Sequence, residues 1–417
     1  VTNIQRIPIR HGGNWAFAMG IGLATLGLAD AGLPSHCVAQ VTGQDNQANS
    51  ISLVNATYLV NTPVSDNLPE LSQDLINERA LMVGQALTFL DGQQSDDGSF
   101  SNYAGTGPTS MIASAMLRHG RTQNHPAVAR SIKYILSNVR PDGGIYADKS
   151  IHRNYESALA ISCLAEIDNG KTYAKEIKAA TGFLRTLQWD EGEQKEKDDM
   201  AYGGAGYGSH TRPDMSNTSY MIDALKAAGA KNDDPDLQKA LTFITRCQNH
   251  ESEFNKTEFA TGGPKDGGFF YTAAAGGETK VETSEANPGG GLRSYGSMTY
   301  AGLKSMLYAG VSKEDTRVQA ALTYLKKNYT LKSNPGVGAQ GLYYYYHVFG
   351  KALSAMDEAQ FESADGVKHD WRTELIKELS NRQQKNGSWI NTQSERWMEG
   401  DASLVSAYAL LAISYAK

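Results

Sequence analysis

The 417-residue sequence predicts an all-α protein, a closed (α/α)6 toroid of six helical hairpins. Three observations carry that expectation. A unit of helix, glycine-aromatic turn and helix recurs from about residue 70 to the end. The second helix of each unit is apolar and rich in small residues, whereas the first carries charge, which sorts them into an inner and an outer layer. The sixth pair is as apolar as the middle ones and has no polar capping helix, so it closes onto the first pair.

Apolar residues recur at helical spacing from Leu71 to Leu90, and a second helix spans about Thr109 to Leu117. The following pairs are Ala127–Asn138 with Tyr155–Ile167, and Tyr173–Trp189 with Asn217–Ala228. Next come Asp236–Gln248 with Ser297–Ala309, Thr316–Tyr329 with about Tyr345–Ala355, and Trp371–Gln384 with Ala402–Ser414. The turns between them include Ser95-Asp-Asp-Gly-Ser-Phe100, Asp142-Gly-Gly-Ile-Tyr146, Tyr202-Gly-Gly-Ala-Gly-Tyr207, Asp266-Gly-Gly-Phe269 and Asn386-Gly-Ser-Trp389. Glycine permits the tight path, Asp bonds nearby amides, and Phe100, Tyr146, Phe269 or Trp389 packs between helices. These turns are structural.

Composition narrows the function classes. A formal charge of -6 without a basic, aromatic-interleaved run argues against nucleic acid. Cys37, Cys163 and Cys247 are too scattered for a disulfide framework or zinc cluster, and no metal or cofactor motif occurs. Residues 1–39 order basic, apolar and small residues like a removable secretory signal, and 40–69 read as an N-terminal arm ahead of the toroid at 70–417. The expected location is periplasmic or extracellular, with envelope association and peripheral membrane contact as variants. Spacing alone leaves the oligomeric state undefined.

The Gln93–Phe100 and Gln383–Trp389 segments, with weaker copies between them, resemble the glutamine-tryptophan repeats of squalene-hopene cyclases, oxidosqualene cyclases and protein prenyltransferase beta subunits. The resemblance spans roughly 70–417 and implies the same toroid around a deep apolar cavity. It also implies an Asp-x-Asp-Asp-Thr motif whose middle Asp donates the proton. Here the matching stretch is Asp214-Met-Ser-Asn-Thr218, with Ser216 at the donor position and Asn217 beside it. An unactivated serine hydroxyl keeps its proton, so the expected protein is a divergent cyclase-like one that binds or transforms an isoprenoid or other apolar ligand. The zinc-binding Asp-x-Cys pair of the prenyltransferases is missing before both Cys163 and Cys247.

Candidate catalytic residues are Asp214, Glu156 and His347. Asp214 and Glu156 stand at inner-helix heads, where a cap is the competing role. Within Tyr343-Tyr-Tyr-Tyr-His347, helical spacing puts Tyr343, Tyr346 and His347 on one face. Tyr343 and Tyr346, Arg293 and Tyr295 after a glycine-rich loop, and Trp397 and Glu399 before the last helix are candidate ligand contacts. Two alternatives stand beside the isoprenoid reading: a secreted carbohydrate-active toroid enzyme, and a non-catalytic binding or scaffold toroid. The polarity of the cavity discriminates between them.

Overall fold

A computed structural model describes residues 70–208, 212–282 and 291–417, all within a compact unit assigned to Ala56–Lys417. The expected leader at 1–39 and the arm at 40–69 lie outside the described residues. The outer helices are α1 (Gln73–Asp91), α3 (Pro126–Ser137), α5 (Ala174–Arg185), α7 (Pro235–Arg246), α10 (Thr316–Lys327) and α12 (Trp371–Arg382). The inner ones are α2 (Gly107–Arg118), α4 (Arg153–Ala165), α6 (Met215–Ala227), α9 (Gly296–Tyr308), α11 (Leu342–Met356) and α13 (Ala402–Tyr415). Each inner helix packs on the next, and α13 packs back on α2, so the neighbour relation is cyclic. Two elements were not anticipated: a short helix α8 (Glu258–Gly262) and a hairpin pairing β1 (Phe361–Glu362) with β2 (Lys368–His369).

The turns hold neighbouring pairs together by contacts that repeat around the ring. Gly203 sits at φ +83°, and a Cβ there would lie 1.8 Å from the carbonyl oxygen of Lys239 on α7. Only glycine combines that backbone with that approach. Gly387 makes the same step at φ +86°, but onto the Gln85 carbonyl of α1, so it joins the last pair to the first. Gln188 donates its amide to the Gly203 carbonyl (2.8 Å) and to that of Asp236 at the start of α7 (2.9 Å). Gln94, Gln248 and Gln383 repeat this staple, the last of them reaching Met82 of α1 at 2.8 Å.

A hydroxyl in five of the six inner helices completes the joint. Thr109, Ser157, Thr218, Thr299 and Ser406 accept from the backbone N–H of Phe100, Ile145, Ala205, Phe269 and Trp389, at 2.9–3.1 Å. Trp389 is fully buried and donates its indole N–H to the Leu379 carbonyl. Asp97, Asp142, Asp266 and Asn386 bond the amide two residues on, the local turn their residue type favours.

The joint predicts a graded response. Gly203→Ala and Trp389→Ala should each lower unfolding free energy by about 2–5 kcal/mol, through strain and lost packing respectively. Gly229 has a similar φ of +91° but nothing within 4 Å of an added Cβ, so Gly229→Ala should cost only about 1 kcal/mol. Denaturant titrations showing equal losses at the two glycines would reject the close-contact argument.

Candidate functional site

The inner-helix heads gather at one end of the ring, and their buried polar side chains bind one another's backbones. The Glu156 carboxylate accepts from Thr106 N (2.7 Å) and Oγ1 (3.0 Å), from Ala147 N (2.8 Å) and from the Ser150 hydroxyl. Three of these donors converge on Oε2 and the Ser150 hydroxyl takes Oε1, so both oxygens are engaged. Glu399 accepts from Tyr343 N (2.8 Å), Tyr344 N (2.9 Å) and Asn391 Nδ2 (2.6 Å), and so caps α11 from the segment before α13. Asn334, just before α11, likewise accepts from Ser297 N at the head of α9 (2.9 Å). The geometry therefore gives Glu156 and Glu399 capping work between neighbours, rather than carboxylate faces open to a ligand.

Asp214 caps its own helix. It accepts from Asn217 N (2.9 Å) and Asn217 Nδ2 (2.8 Å), and Asn217 in turn accepts from Asn154 Nδ2 (3.1 Å). What survives of the family-like motif is thus its structural part, the cap at Asp214 and the turn staple at Thr218. Ser216 takes the lumen-facing position between them. Its hydroxyl lies 3.4 Å from that of Tyr344.

The lumen is walled by tyrosines. Tyr155, Tyr220, Tyr344 and Tyr408 form a chain of ring contacts with centroids 5.2, 6.4 and 6.0 Å apart, from α4 through α6 and α11 to α13. Tyr155, Tyr344 and Tyr408 are only partly buried, and the Tyr220 ring on α6 meets that of Tyr344 on the non-adjacent helix α11, so the chain of rings runs over the middle of the toroid. Two expected contacts turn the other way. Tyr346 donates to the Leu331 carbonyl (2.6 Å), carries the Arg382 guanidinium over its ring, and meets Tyr343 edge-on at 5.6 Å. Both face the outer layer, because the lumen stripe of α11 is Tyr344, His347 and Lys351, a spacing of three and then four.

The remaining candidates are spread out. Tyr295 is buried at the head of α9, and the Arg293 carbonyl accepts from Thr279 Oγ1 (2.7 Å) in the preceding segment. Trp397 is 40% exposed at the rim, with φ +57°, under the Arg396 guanidinium and against Gly341. His347 does reach the lumen, between the rings of Tyr408 and Tyr415. Burial, then the nearby Lys351 ammonium, holds it neutral, well below the usual histidine range.

Below the tyrosines lies a cluster of buried charges that the sequence reading did not single out. Lys304, 1% exposed, donates to Ser219 O (3.1 Å), Ser219 Oγ (2.7 Å) and Asp223 Oδ1 (2.6 Å). Lys351 meets the other oxygen of Asp223 at 2.7 Å. Burial works to raise the Asp223 pKa, but the two ammoniums outweigh it and hold it below the usual value. Burial pushes Lys304 down to about 8. The sequence signal was available: charges in otherwise apolar inner helices, nine, nine and ten residues after the caps Asp214, Tyr295 and Gly341.

Two of the capping carboxylates make stability depend on pH. Burial raises Asp214 to about 6 and Glu399 to about 7 in the folded chain. A raised carboxylate pKa stabilises fully below the unfolded value near 4, and that contribution is lost as pH rises through the folded pKa. Buried histidines held below their usual value, His119 and His347 among them, act in the opposite sense, so the carboxylate contribution is read as a difference: the melting temperature of Glu399→Gln minus that of the wild type should rise between about pH 4.5 and 7.5. A difference between variant and wild type that stays constant over this interval contradicts the assignment.

The comparisons agree with this architecture. Residues 94–275 match the family described as squalene-hopene cyclase C-terminal domain. No curated protein sequence matches significantly. The type II terpene cyclase MstE from Scytonema, in complex with its substrate geranylgeranyl dihydroxybenzoate, aligns at TM-score 0.51 and 10% identity over 82% of this chain and 98% of that one. D-mannose isomerase aligns at TM-score 0.52 and 12% identity, covering 84% and 99%. A family 76 glycoside hydrolase from a bovine Bacteroides thetaiotaomicron strain aligns at 0.50 and 14%, covering 81% and 78%. Identities this low establish the shared fold alone. Residues 94–275, rather less than half of the chain, thus resemble the squalene-hopene cyclase C-terminal domain, and the ring of helical hairpins is the fold shared with the terpene cyclase.

Proposed function

We propose that the chain is a terpenoid-cyclase-like toroid that holds an isoprenoid against its tyrosine wall and does not begin cyclisation by protonating an alkene. The observation that carries this reading is Ser216, a hydroxyl facing Tyr344 at the lumen position where the resemblance calls for the donor carboxylic acid. Protonating an alkene takes a strong acid with a stabilised conjugate base, and a serine hydroxyl supplies neither. Asp214, two residues earlier, has its carboxylate bound to the head of α6. The tyrosine faces still favour an unsaturated chain, since aromatic contacts add to its area burial. The likeness to a cyclase crystallised with a geranylgeranyl substrate supports the ligand class.

A polar sugar ligand is the second reading. The charged floor at Lys304, Asp223 and Lys351 favours it, since charge disfavours plain hydrocarbon there. The shared fold of D-mannose isomerase and the glycoside hydrolase is compatible with it.

Incubation with squalene and geranylgeranyl compounds, followed by mass spectrometry, separates the two. Retained but unaltered isoprenoid is expected, and Tyr344→Ala should weaken retention about tenfold, the worth of one aromatic contact. Cyclised product abolished by Asp214→Asn overturns the missing-acid argument. Retention of mono- or oligosaccharides with no isoprenoid retained moves the second reading ahead.

A further inference from the structure

The lumen floor holds more positive than negative charge. Lys304 on α9 and Lys351 on α11 share the single carboxylate of Asp223 on α6. The nearest other ions, Arg118 and Glu166, pair with each other at 2.7 Å and cancel. Tyr308 adds only a ring face, 5.5 Å from one ammonium and 5.7 Å from the other. Among the described residues one cationic charge of this cluster is therefore not matched by a carboxylate, and an unmatched buried charge is costly.

The two lysines are not equivalent. Lys304 spends its three N–H donors on Ser219 and Asp223. Lys351 keeps 13% of its side chain accessible. One turn before it stands His347, 5% exposed, whose Nδ1 has no hydrogen-bond partner. A tautomer with its proton on Nδ1 is a second donor on the same stripe.

We infer that this floor binds an oxyanion, the carboxylate or phosphate head of the lumen ligand, through Lys351 and His347, with the ligand body lying along the tyrosines above. The inference rests on the isoprenoid reading for the body of the ligand, and the anion at the floor is its own claim. The neutral histidine suits it, since a neutral imidazole donates to the anion without adding to the charge already buried. An amphiphile of this kind also reconciles an aromatic wall with a charged floor.

The test varies the head on one tail. Calorimetric titration of the full chain with geranylgeranyl diphosphate, geranylgeranoic acid and geranylgeraniol compares phosphate, carboxylate and neutral heads. At least one anionic head should bind about tenfold or more tighter than the alcohol, as expected for a charge-assisted contact. Whichever head is preferred identifies the source of the oxyanion. Lys351→Met should reduce that preference about tenfold while Lys351→Arg retains it, with circular dichroism confirming both folds. Equal affinity for all three heads, or a preference unchanged in Lys351→Met, overturns the oxyanion site and leaves the isoprenoid reading standing. If no tail binds, that reading fails, and sodium pyrophosphate alone then decides the floor. Thermal protection of the wild type but not of Lys351→Met upholds the site, and no protection rejects it.

Discussion

The structure depends on the approach of each turn to the backbone of the next outer helix. At Gly203 and Gly387 the chain comes so close to a carbonyl that a side chain cannot intervene, and a glutamine amide bridges the same two segments. Such a joint has a fixed length, because hydrogen bonds and van der Waals contacts set it on both sides. Repeating it fixes the rotation from one hairpin to the next. At Gly387 the neighbour reached is α1, so the same joint that propagates the ring also closes it. Arg79 of α1 donating to the Ala416 carbonyl, at 2.8 Å, marks the same seam.

Closure leaves twelve helix ends at each of two faces, and the face with the inner-helix heads must satisfy six sets of free N–H groups. Here neighbours share that task. Glu156, Asn334 and Glu399 each serve a helix other than the one they precede or begin, while Asp214 and Asp401 serve their own. Conspicuous acidic residues near the lumen mouth are therefore engaged before any ligand arrives. Tyr103 donates to Asp401 at 2.6 Å, which carries the arrangement across the seam between α13 and the segment before α2.

The lumen is consequently left to tyrosine faces, the Ser216 hydroxyl and the ions of the floor. Its chemistry differs from a plain hydrocarbon cavity in one respect, the burial of Lys304, Asp223 and Lys351 at a common level. Breaking such a cluster is costly while replacing it whole often is not, so its presence is weak evidence for stability alone.

The sequence by itself determined the six hairpins, their inner and outer assignment, the turns, and the cap at Asp214. Those properties are local: helical periodicity, glycine at special dihedrals and a short polar side chain at a helix head act within a few residues. It also signalled closure, through the apolar last pair. Only the tertiary structure decided which stripe of α11 faces the lumen, turning Tyr343 and Tyr346 outward and Tyr344 inward, because every side of that helix carries an aromatic or apolar residue. It alone showed that Glu156 and Glu399 reach across to other helices, and that Lys304 meets Asp223, 81 residues away in sequence. Contacts between separate helices depend on the rotation and height at which the closed ring sets them, and no spacing along one chain encodes either.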